Sequence, residues 1–449
     1  MSPRIVGWIK LLFLCFLCQG TWVSSFAQGN NYTYADLNSY KSHLDNTAAD
    51  NTGKLDQKIQ KDYKKIIADK NTAIIKQLNE KGFLFDAKAY PYLSTIFNHI
   101  LEKNSLDKSQ FHFFIDRSPE VNAYSYEDGT VVCNLGLVTV MENESQLAMV
   151  FCHELGHCLL KHSNNAIIKQ LEKYNSPEFA AKIKAIKRQN YNVNKQLEGL
   201  LLTDFFDRRK HTRSQEWAAD SLGMILFSKT GYSGKNVSRL FDLLDSADHK
   251  TNACTVSSFF QREKIDIDAG LLRPAKKMSF GSQSKGMADS LKTHPDCANR
   301  KVIMQAWFDQ HPKTGADFLL SNEEQLEKVK KIAFFEEAAY AKDSDIYGFY
   351  LFRLIENDAL FPSNGAIKTS IFDALVAVCT HEKKHTLYEI VSSPYAPDSD
   401  NDEYAKLLKL LNTADLKKMI EITDIYYQNN KPLIAAPKET INDYNTLNN

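Results

Sequence analysis

One hexapeptide constrains this chain more than any other stretch, and its sequence is Cys152-His153-Glu154-Leu155-Gly156-His157. It has the pattern H-E-x-x-H and lies within residues 144–163, where the apolar spacing predicts a helix. Residues four apart differ by about 40° around a helix axis, so His153 and His157 share one face and can hold a divalent metal. Glu154 lies about 100° from His153 and can reach a water beside that metal without binding it.

A catalytic metal on such a helix needs a third protein ligand and an open position for water. His162 is one candidate, but it lies about 140° round a continuous helix from His157 and cannot join the pair. Glu216 is the better candidate, because it opens a second predicted helix with apolar neighbours. Asp220 follows one turn later on the same face and can orient a ligand imidazole. The expected ligands of one Zn²⁺ per chain are therefore His153, His157 and Glu216.

The composition limits the classes of partner. The chain has 449 residues and a formal net charge of zero. A neutral chain has no general attraction to nucleic acid or to an anionic membrane surface. Its length suffices for one large core and a second, smaller one. We therefore expect polypeptide substrates, no nucleic-acid partner and no stable transmembrane segment, and the sequence predicts no oligomeric state.

The N-terminus has the pattern of a secretory signal peptide. Arg4 and Lys10 precede an apolar run over residues 11–18, and Ser25-Phe26-Ala27 offers a cleavage site. An uncleaved anchor helix is disfavoured because the run is short for a membrane span. The sequence therefore predicts export, with the periplasm, the outer membrane and the extracellular space open as destinations.

Export permits disulfides, and six cysteines remain after residue 27. Cys152 and Cys158 are excluded as a pair, because six helical residues rise about 9 Å, which exceeds the reach of a disulfide. We expect most of the six to be small buried apolar residues: Cys133, Cys152, Cys158, Cys254, Cys297 and Cys379.

Five spaced elements of the chain resemble the zinc metallopeptidase family of the CAAX prenyl protease, HtpX and BepA. Over about residues 85–305 these are Asn122-Ala123, Gly136-Leu137, the H-E-x-x-H hexapeptide, Glu216-x-x-x-Asp220, and Thr293-His294-Pro295 followed by Arg300. The layout is similar to that of the exported, soluble members with a C-terminal helical module. The resemblance implies a zincin-type, gluzincin-like peptidase domain that is mainly helical, α+β, with a small sheet.

The resemblance also implies roles for residues outside the hexapeptide. In addition to zinc binding by Glu216, it places His294 near the active site. There His294 or Arg300 would stabilise the oxyanion as a catalytic residue, or His294 would instead occupy the open zinc position in a resting state. It places Asn122 and Ala123 at the edge of the substrate cleft, where a substrate strand would pair with the chain. Glu154 would be the catalytic base.

These observations predict a domain order. We expect a signal peptide over residues 1–27, a linker over 28–54, a metallopeptidase domain over 55–312, an all-α helical module over 313–430 and a polar tail over 431–449. Residues 250–287 lack periodicity and are expected to be a mobile connection or lid.

The expected function is that of an exported zinc-dependent metalloendopeptidase in envelope protein quality control. The alternative is an envelope assembly factor or chaperone that binds client proteins through its C-terminal helices.

Overall fold

The computed structural model describes residues 31–187, 213–246, 255–273, 297–311, 315–394 and 402–447. They divide into two compact units. The site unit comprises Tyr32–Asp245 and Phe280–Lys330, and the helical unit comprises Ser246–Ser279 and Lys331–Asn449. The expected mainly helical α+β class with a small sheet is confirmed. The predicted signal peptide lies outside the described residues.

The site unit contains three strands and most of the longer helices of the N-terminal half. Its described elements, in chain order, are α1 (Leu37–Gly53), α2 (Gln57–Asn79), α3 (Ala89–Lys103), β1 (His112–Asp116), β2 (Ala123–Ser125), β3 (Thr130–Asn134), α4 (Leu135–Val140), α5 (Glu144–Leu159), α6 (His162–Tyr174), α7 (Pro177–Lys187), α8 (Arg213–Phe227), α9 (Arg239–Ser246) and α11 (Cys297–Gln310).

The three strands form one sheet in the order β1-β3-β2. β1 runs parallel to β3, with His112 opposite Thr130, and β2 runs antiparallel to β3, with Ala123 opposite Cys133. Every residue of β3 is buried, as expected of a central strand, and β2 lies at an edge. From its aromatic and β-branched runs, the sequence predicts strands over residues 111–115, 121–126 and 130–133, and a strand forms in each of these stretches. The edge strand contacts the H-E-x-x-H helix through Ser125.

The expectation of a linker over residues 28–54 is wrong for its described part, which contains α1. Tyr40 and Leu44 are buried in a cluster that includes Phe114 of β1. The hydroxyl of Tyr40 lies 2.9 Å from that of Thr130. Two large apolar residues among many Asn and Asp give a weak helical pattern, and only the packing partner makes them core residues.

The helical unit contains the remaining helices of the described residues. They are α10 (Val256–Arg262), α13 (Tyr347–Leu360), α14 (Gly365–Lys383), α15 (Asp402–Thr413), α16 (Leu416–Asn430) and α17 (Lys438–Leu447), and the boundary at residue 330 lies within α12 (Glu323–Asp343). The polar tail expected over residues 431–449 contains α17, whose Tyr444 packs on Phe372 with ring centroids 5.2 Å apart. The composition of a short polar segment does not reveal that one face of it is buried as a helix.

The expected mobile connection over residues 250–287 is also wrong for its described part. Thr255 caps α10, and Phe259 and Phe260 are buried in the core of the helical unit. Glu263 accepts a charge-assisted hydrogen bond from Lys368 at 2.9 Å, and the same ammonium lies 2.9 Å from Asp358. A helix of seven residues is too short to show a period, so the sequence alone does not reveal that this segment belongs to a core.

Candidate metal centre and active site

Helix α5 carries the H-E-x-x-H hexapeptide, and its first turn is capped by Asn143, which accepts a hydrogen bond from the Gln146 amide at 3.0 Å. The predicted helix extends to residue 163, but α5 ends at Leu159. Lys161 has the left-handed backbone conformation, with φ of 55°, and α6 begins at His162. The chain therefore turns back immediately after the hexapeptide, which changes what His162 can contact.

Helix α8 packs closely on α5 because small residues face each other. A Cβ added at Gly156 would lie 2.8 Å from the carbonyl oxygen of Ala219, and one added at Gly223 would lie 3.2 Å from the backbone of His153. Side chains at either position would separate the two helices. The close approach brings Glu216, in the first turn of α8, to the histidine pair.

Three donor atoms converge between the two helices. Nε2 of His153 and Nε2 of His157 lie 3.0 Å apart, and Glu216 places an oxygen 3.5 Å from the first and the other 3.4 Å from the second. All three side chains are buried, and their donor atoms lie within 4.8 Å of one another. Tetrahedral zinc with bonds of about 2.0–2.1 Å separates its ligand atoms by roughly 3.3 Å. The expected ligands therefore fit a zinc ion.

Asp220 lies next to the imidazole of His153, the position that the sequence predicts for it. Its Oδ1 is 2.8 Å from Nδ1 of His153. Arg300 on α11 donates two hydrogen bonds to the same carboxylate, at 2.7 and 2.8 Å. Burial by itself raises the pKa of Asp220, but the hydrogen bonds from His153 and Arg300 outweigh it and lower the pKa to about 2. The carboxylate therefore stays charged and accepts from Nδ1, which leaves Nε2 of His153 for a metal.

Arg300 is a buried residue of the centre. Besides Asp220, its guanidinium reaches Glu216, with Nη1 2.8 Å from Oε2. A buried carboxylate needs a counter-charge, and Arg300 supplies one to both acidic residues.

His162 is not among the three donors, but it contacts one of them. Its Nδ1 lies 2.8 Å from Nδ1 of His157. Burial lowers the pKa of His162, so the ring is neutral near pH 7. On an unbroken helix His162 would lie about 140° round from His157. The left-handed Lys161 ends that helix, so His162 comes back to His157.

Glu154 contacts the edge strand of the sheet. The hydroxyl of Ser125 on β2 donates to Oε2 of Glu154 at 3.0 Å. Ser163, at the start of α6, donates in turn to the carbonyl oxygen of Ser125 at 3.3 Å. The sequence carries little signal for Ser125, which is only a polar residue two positions after Ala123 in a predicted strand.

Asn122 and Ala123 begin the strand that carries Ser125. The Asn122 carbonyl accepts from the Asn134 amide at 3.1 Å, which ties the residue before β2 to β3. By the alternation of antiparallel pairing, the backbone groups of Ala123 and Ser125 point to the outer edge of the sheet. The expected cleft edge stays a prediction. His294 lies outside the described residues, so its expected place near the centre also stays a prediction.

The sequence predicts that most cysteines are small buried apolar residues, and the described cysteines can be compared with this prediction. Cys133, Cys152 and Cys158 are free, as is Cys379 in the helical unit. Burial raises the pKa of Cys152 well above its ordinary value, as expected of an apolar core thiol.

Comparison with known proteins identifies this arrangement. Residues 87–307 match the family model described as peptidase family M48. Over this range the chain belongs to peptidase family M48. The match begins just before α3, ends within α11 and contains each described residue of the centre. The expectation of a zinc metallopeptidase is therefore confirmed at the level of the family.

Individual relatives of the M48 region match over shorter stretches. The beta-barrel assembly-enhancing protease of Escherichia coli K12 is 33% identical over 79 residues, which are 18% of this chain and 16% of the relative. The putative beta-barrel assembly-enhancing protease of Vibrio cholerae is 24% identical over 174 residues, 37% and 35% of the two chains. The mitochondrial metalloendopeptidase OMA1 of Schizosaccharomyces pombe is 24% identical over 157 residues, 35% and 44%. The chain therefore spans less than half the length of each of these relatives.

A helix that crosses a membrane must be both long and apolar. Among the described residues, none of the helices combines the length and apolar character that crossing a bilayer requires.

Proposed function

We propose that the chain is an exported zinc metalloendopeptidase that hydrolyses peptide bonds in proteins of the cell envelope. The convergence of the donor atoms of His153, His157 and Glu216 beside Glu154 carries the proposal. The M48 match supports the chemistry. The names of the bacterial relatives, which connect a protease with β-barrel assembly, support envelope proteins as substrates.

Different residues of the centre would have different roles in peptide-bond hydrolysis. His153, His157 and Glu216 would hold zinc, which when bound supplies a Lewis acid for the scissile carbonyl and lowers the pKa of a water. Glu154 takes the proton of the attacking water and passes it to the leaving amine. Ser125 orients the carboxylate of Glu154 through the hydrogen bond at 3.0 Å.

The edge strand supplies a surface for an extended polypeptide. A substrate strand pairing with the outer edge of β2 would lie beside Ser125 and therefore beside Glu154. Backbone pairing tolerates many side chains, which suits a protease for unfolded proteins. Asn122 and Ala123 take part in this proposal as the beginning of that edge.

Arg300 has a positioning role in this proposal. Its guanidinium is held by Asp220 and Glu216, so it fixes one ligand directly and His153 through Asp220. The oxyanion role expected for Arg300 stays a prediction, and these contacts favour the positioning role over it. His294 keeps its expected role at the oxyanion as part of the proposal.

Exchange of Glu154 for Gln tests the proposed base. In Glu154→Gln, cleavage of an unfolded protein such as casein should fall by about 10²–10⁴-fold while zinc content is retained. Glu172→Gln, the same change at an exposed position on α6, is the matched control and should cleave at the wild-type rate. Wild-type cleavage by Glu154→Gln would remove Glu154 from the mechanism.

Elemental analysis tests the ligand set. Purified wild-type protein should contain about one zinc per chain, and Glu216→Ala should lose it, because a catalytic site needs three protein ligands. Full zinc content in Glu216→Ala would mean that the third ligand lies elsewhere, and His294→Ala would then be examined.

The alternative, an assembly factor that binds client proteins through the helical unit, predicts a different result in cells. The peptidase proposal expects a strain that carries Glu154→Gln to show the same envelope defects as a deletion strain. Full function of Glu154→Gln in such a strain would favour client binding over hydrolysis.

A further inference from the structure

The first residues of α6 make several contacts with the elements that surround the candidate metal centre. Three consecutive polar residues there each bind a different element of the site unit. His162 contacts His157 of α5 at 2.8 Å, and Ser163 donates to the Ser125 carbonyl of β2 at 3.3 Å. The third, Asn164, accepts from the hydroxyl of Tyr63 on α2 at 2.6 Å. The first turn of α6 is thus held from three sides.

The contact of His162 is with the ring nitrogen that faces away from the other donors. Nε2 of His157 faces His153 and Glu216, so Nδ1 is the nitrogen left for an outer partner. When Nε2 binds a metal, Nδ1 carries the proton and donates it, and Nδ1 of His162 is the acceptor. The two imidazoles therefore have different outer partners: a carboxylate for His153 and an imidazole for His157.

We propose that His162 is a positioning residue for the metal site, which fixes the tautomer and the ring orientation of His157. The inference rests on the proposed zinc peptidase function and deepens it. Its physical basis is that an outer hydrogen bond orients a metal-binding imidazole, and that loss of such a partner typically weakens metal binding 10–100-fold. The left-handed turn at Lys161 makes the contact geometrically available.

Zinc affinity, measured by competition with a chromophoric chelator, tests this role. His162→Leu removes the acceptor and should weaken zinc binding by about 10–100-fold. His162→Asn places an amide oxygen close to the position of Nδ1 and should restore binding to within about threefold of wild type. His162→Ala replaces the leucine variant if that variant does not fold.

A variant on the same turn separates positioning from loosening of the helix. Asn164→Ala removes the buried hydrogen bond to Tyr63 without touching His157. It should lower the melting temperature of the zinc-free protein and leave zinc affinity unchanged. Equal losses of zinc affinity in His162→Leu and Asn164→Ala would overturn the inference, because a structural role of α6 would then explain both.

The outcomes also separate this inference from the proposed function. Wild-type protein that binds no zinc would overturn both. Wild-type protein that binds zinc through Glu216, together with unchanged affinity in His162→Leu and His162→Ala, would overturn the inference about His162 alone. The expected result is tight binding by wild type, weak binding by the leucine and alanine variants, and recovery in His162→Asn.

Discussion

Gly156 on α5 lies directly against Ala219 on α8, and a Cβ at position 156 would approach the Ala219 carbonyl oxygen to 2.8 Å. That distance is shorter than a normal van der Waals contact. The neighbouring atom is backbone and cannot rotate away. The separation of the two helices, and hence the position of Glu216 relative to the histidines, depends on this missing side chain.

Gly156→Ala should therefore destabilise the protein, in spite of the higher helix propensity of alanine. We expect the free energy of unfolding to fall by about 1–3 kcal/mol through overpacking, and zinc affinity to fall with it. Gly53→Ala is the matched control, because nothing lies within 4 Å of a Cβ at that exposed helical position. It should stabilise by about 0.4–1 kcal/mol. Urea unfolding of both variants checks the prediction. A change of the free energy of unfolding in the same direction for both variants would contradict it.

Ser125→Ala should slow catalysis without loss of metal. The Ser125 hydroxyl donates to Glu154, so its removal leaves the carboxylate of the proposed base less well oriented. We expect kcat to fall by about tenfold, with KM and zinc content unchanged. Ser163→Ala is the control: it contacts the carbonyl of Ser125 and not Glu154, and should reduce kcat less. An unchanged kcat in Ser125→Ala would exclude the orienting role.

Glu144 supports α5 from its N-terminal end. This fully buried carboxylate accepts from the amides of Leu319 and Leu320, at 2.9 and 3.0 Å, and from the hydroxyl of Tyr232 at 3.2 Å. Glu144→Ala leaves these donors without an acceptor and should lower the free energy of unfolding by about 3 kcal/mol or more.

Glu142 provides the control for that substitution two residues away. Its carboxylate forms an exposed ion pair with Arg239 at 3.2 Å. Glu142→Ala should change the free energy of unfolding by less than about 1 kcal/mol. Equal effects of the two substitutions in urea unfolding would contradict the importance of the buried acceptor.

His112 should make stability depend on pH. Burial, and secondarily the neighbouring His43, lower the pKa of His112 from 6.5 to about 4. Between those values the unfolded chain takes up a proton that the folded ring does not, so stability falls as the pH falls from about 6.5 to 4. Because the ring is partly exposed, we expect a loss of about 1–2 kcal/mol.

The comparison variant for this pH dependence is His112→Phe. It keeps an aromatic ring that can pack on Tyr40, whose ring centroid lies 4.7 Å away, and it has no titrating group. Its melting temperature should fall less than that of wild type between pH 6.5 and 4. If the melting temperatures of the two proteins fall equally between pH 6.5 and 4, groups other than His112 cause the acid sensitivity.

The sequence by itself determined the chemistry and much of the local structure. Spacing of four on a helix places His153 and His157 on one face whatever surrounds them, because the helix repeat is fixed by the backbone. A carboxylate pair at the same spacing identified Glu216 and Asp220. The three strands followed from alternation and turn residues. Each of these features depends on residues a few positions apart in the chain, so the sequence is sufficient to predict it.

Tertiary structure decided the contacts of His162 and Ser125 with the residues of the centre. The helix break at Lys161 brings His162 to His157, and nothing in a lysine predicts a positive φ. Ser125 reaches Glu154 only because β2 and α5 pack together. The helices α1 and α17 appear polar in sequence, and each becomes stable by burying a few side chains on a partner. Such contacts join residues far apart in the chain, so their free energy depends on packing and not on local pattern.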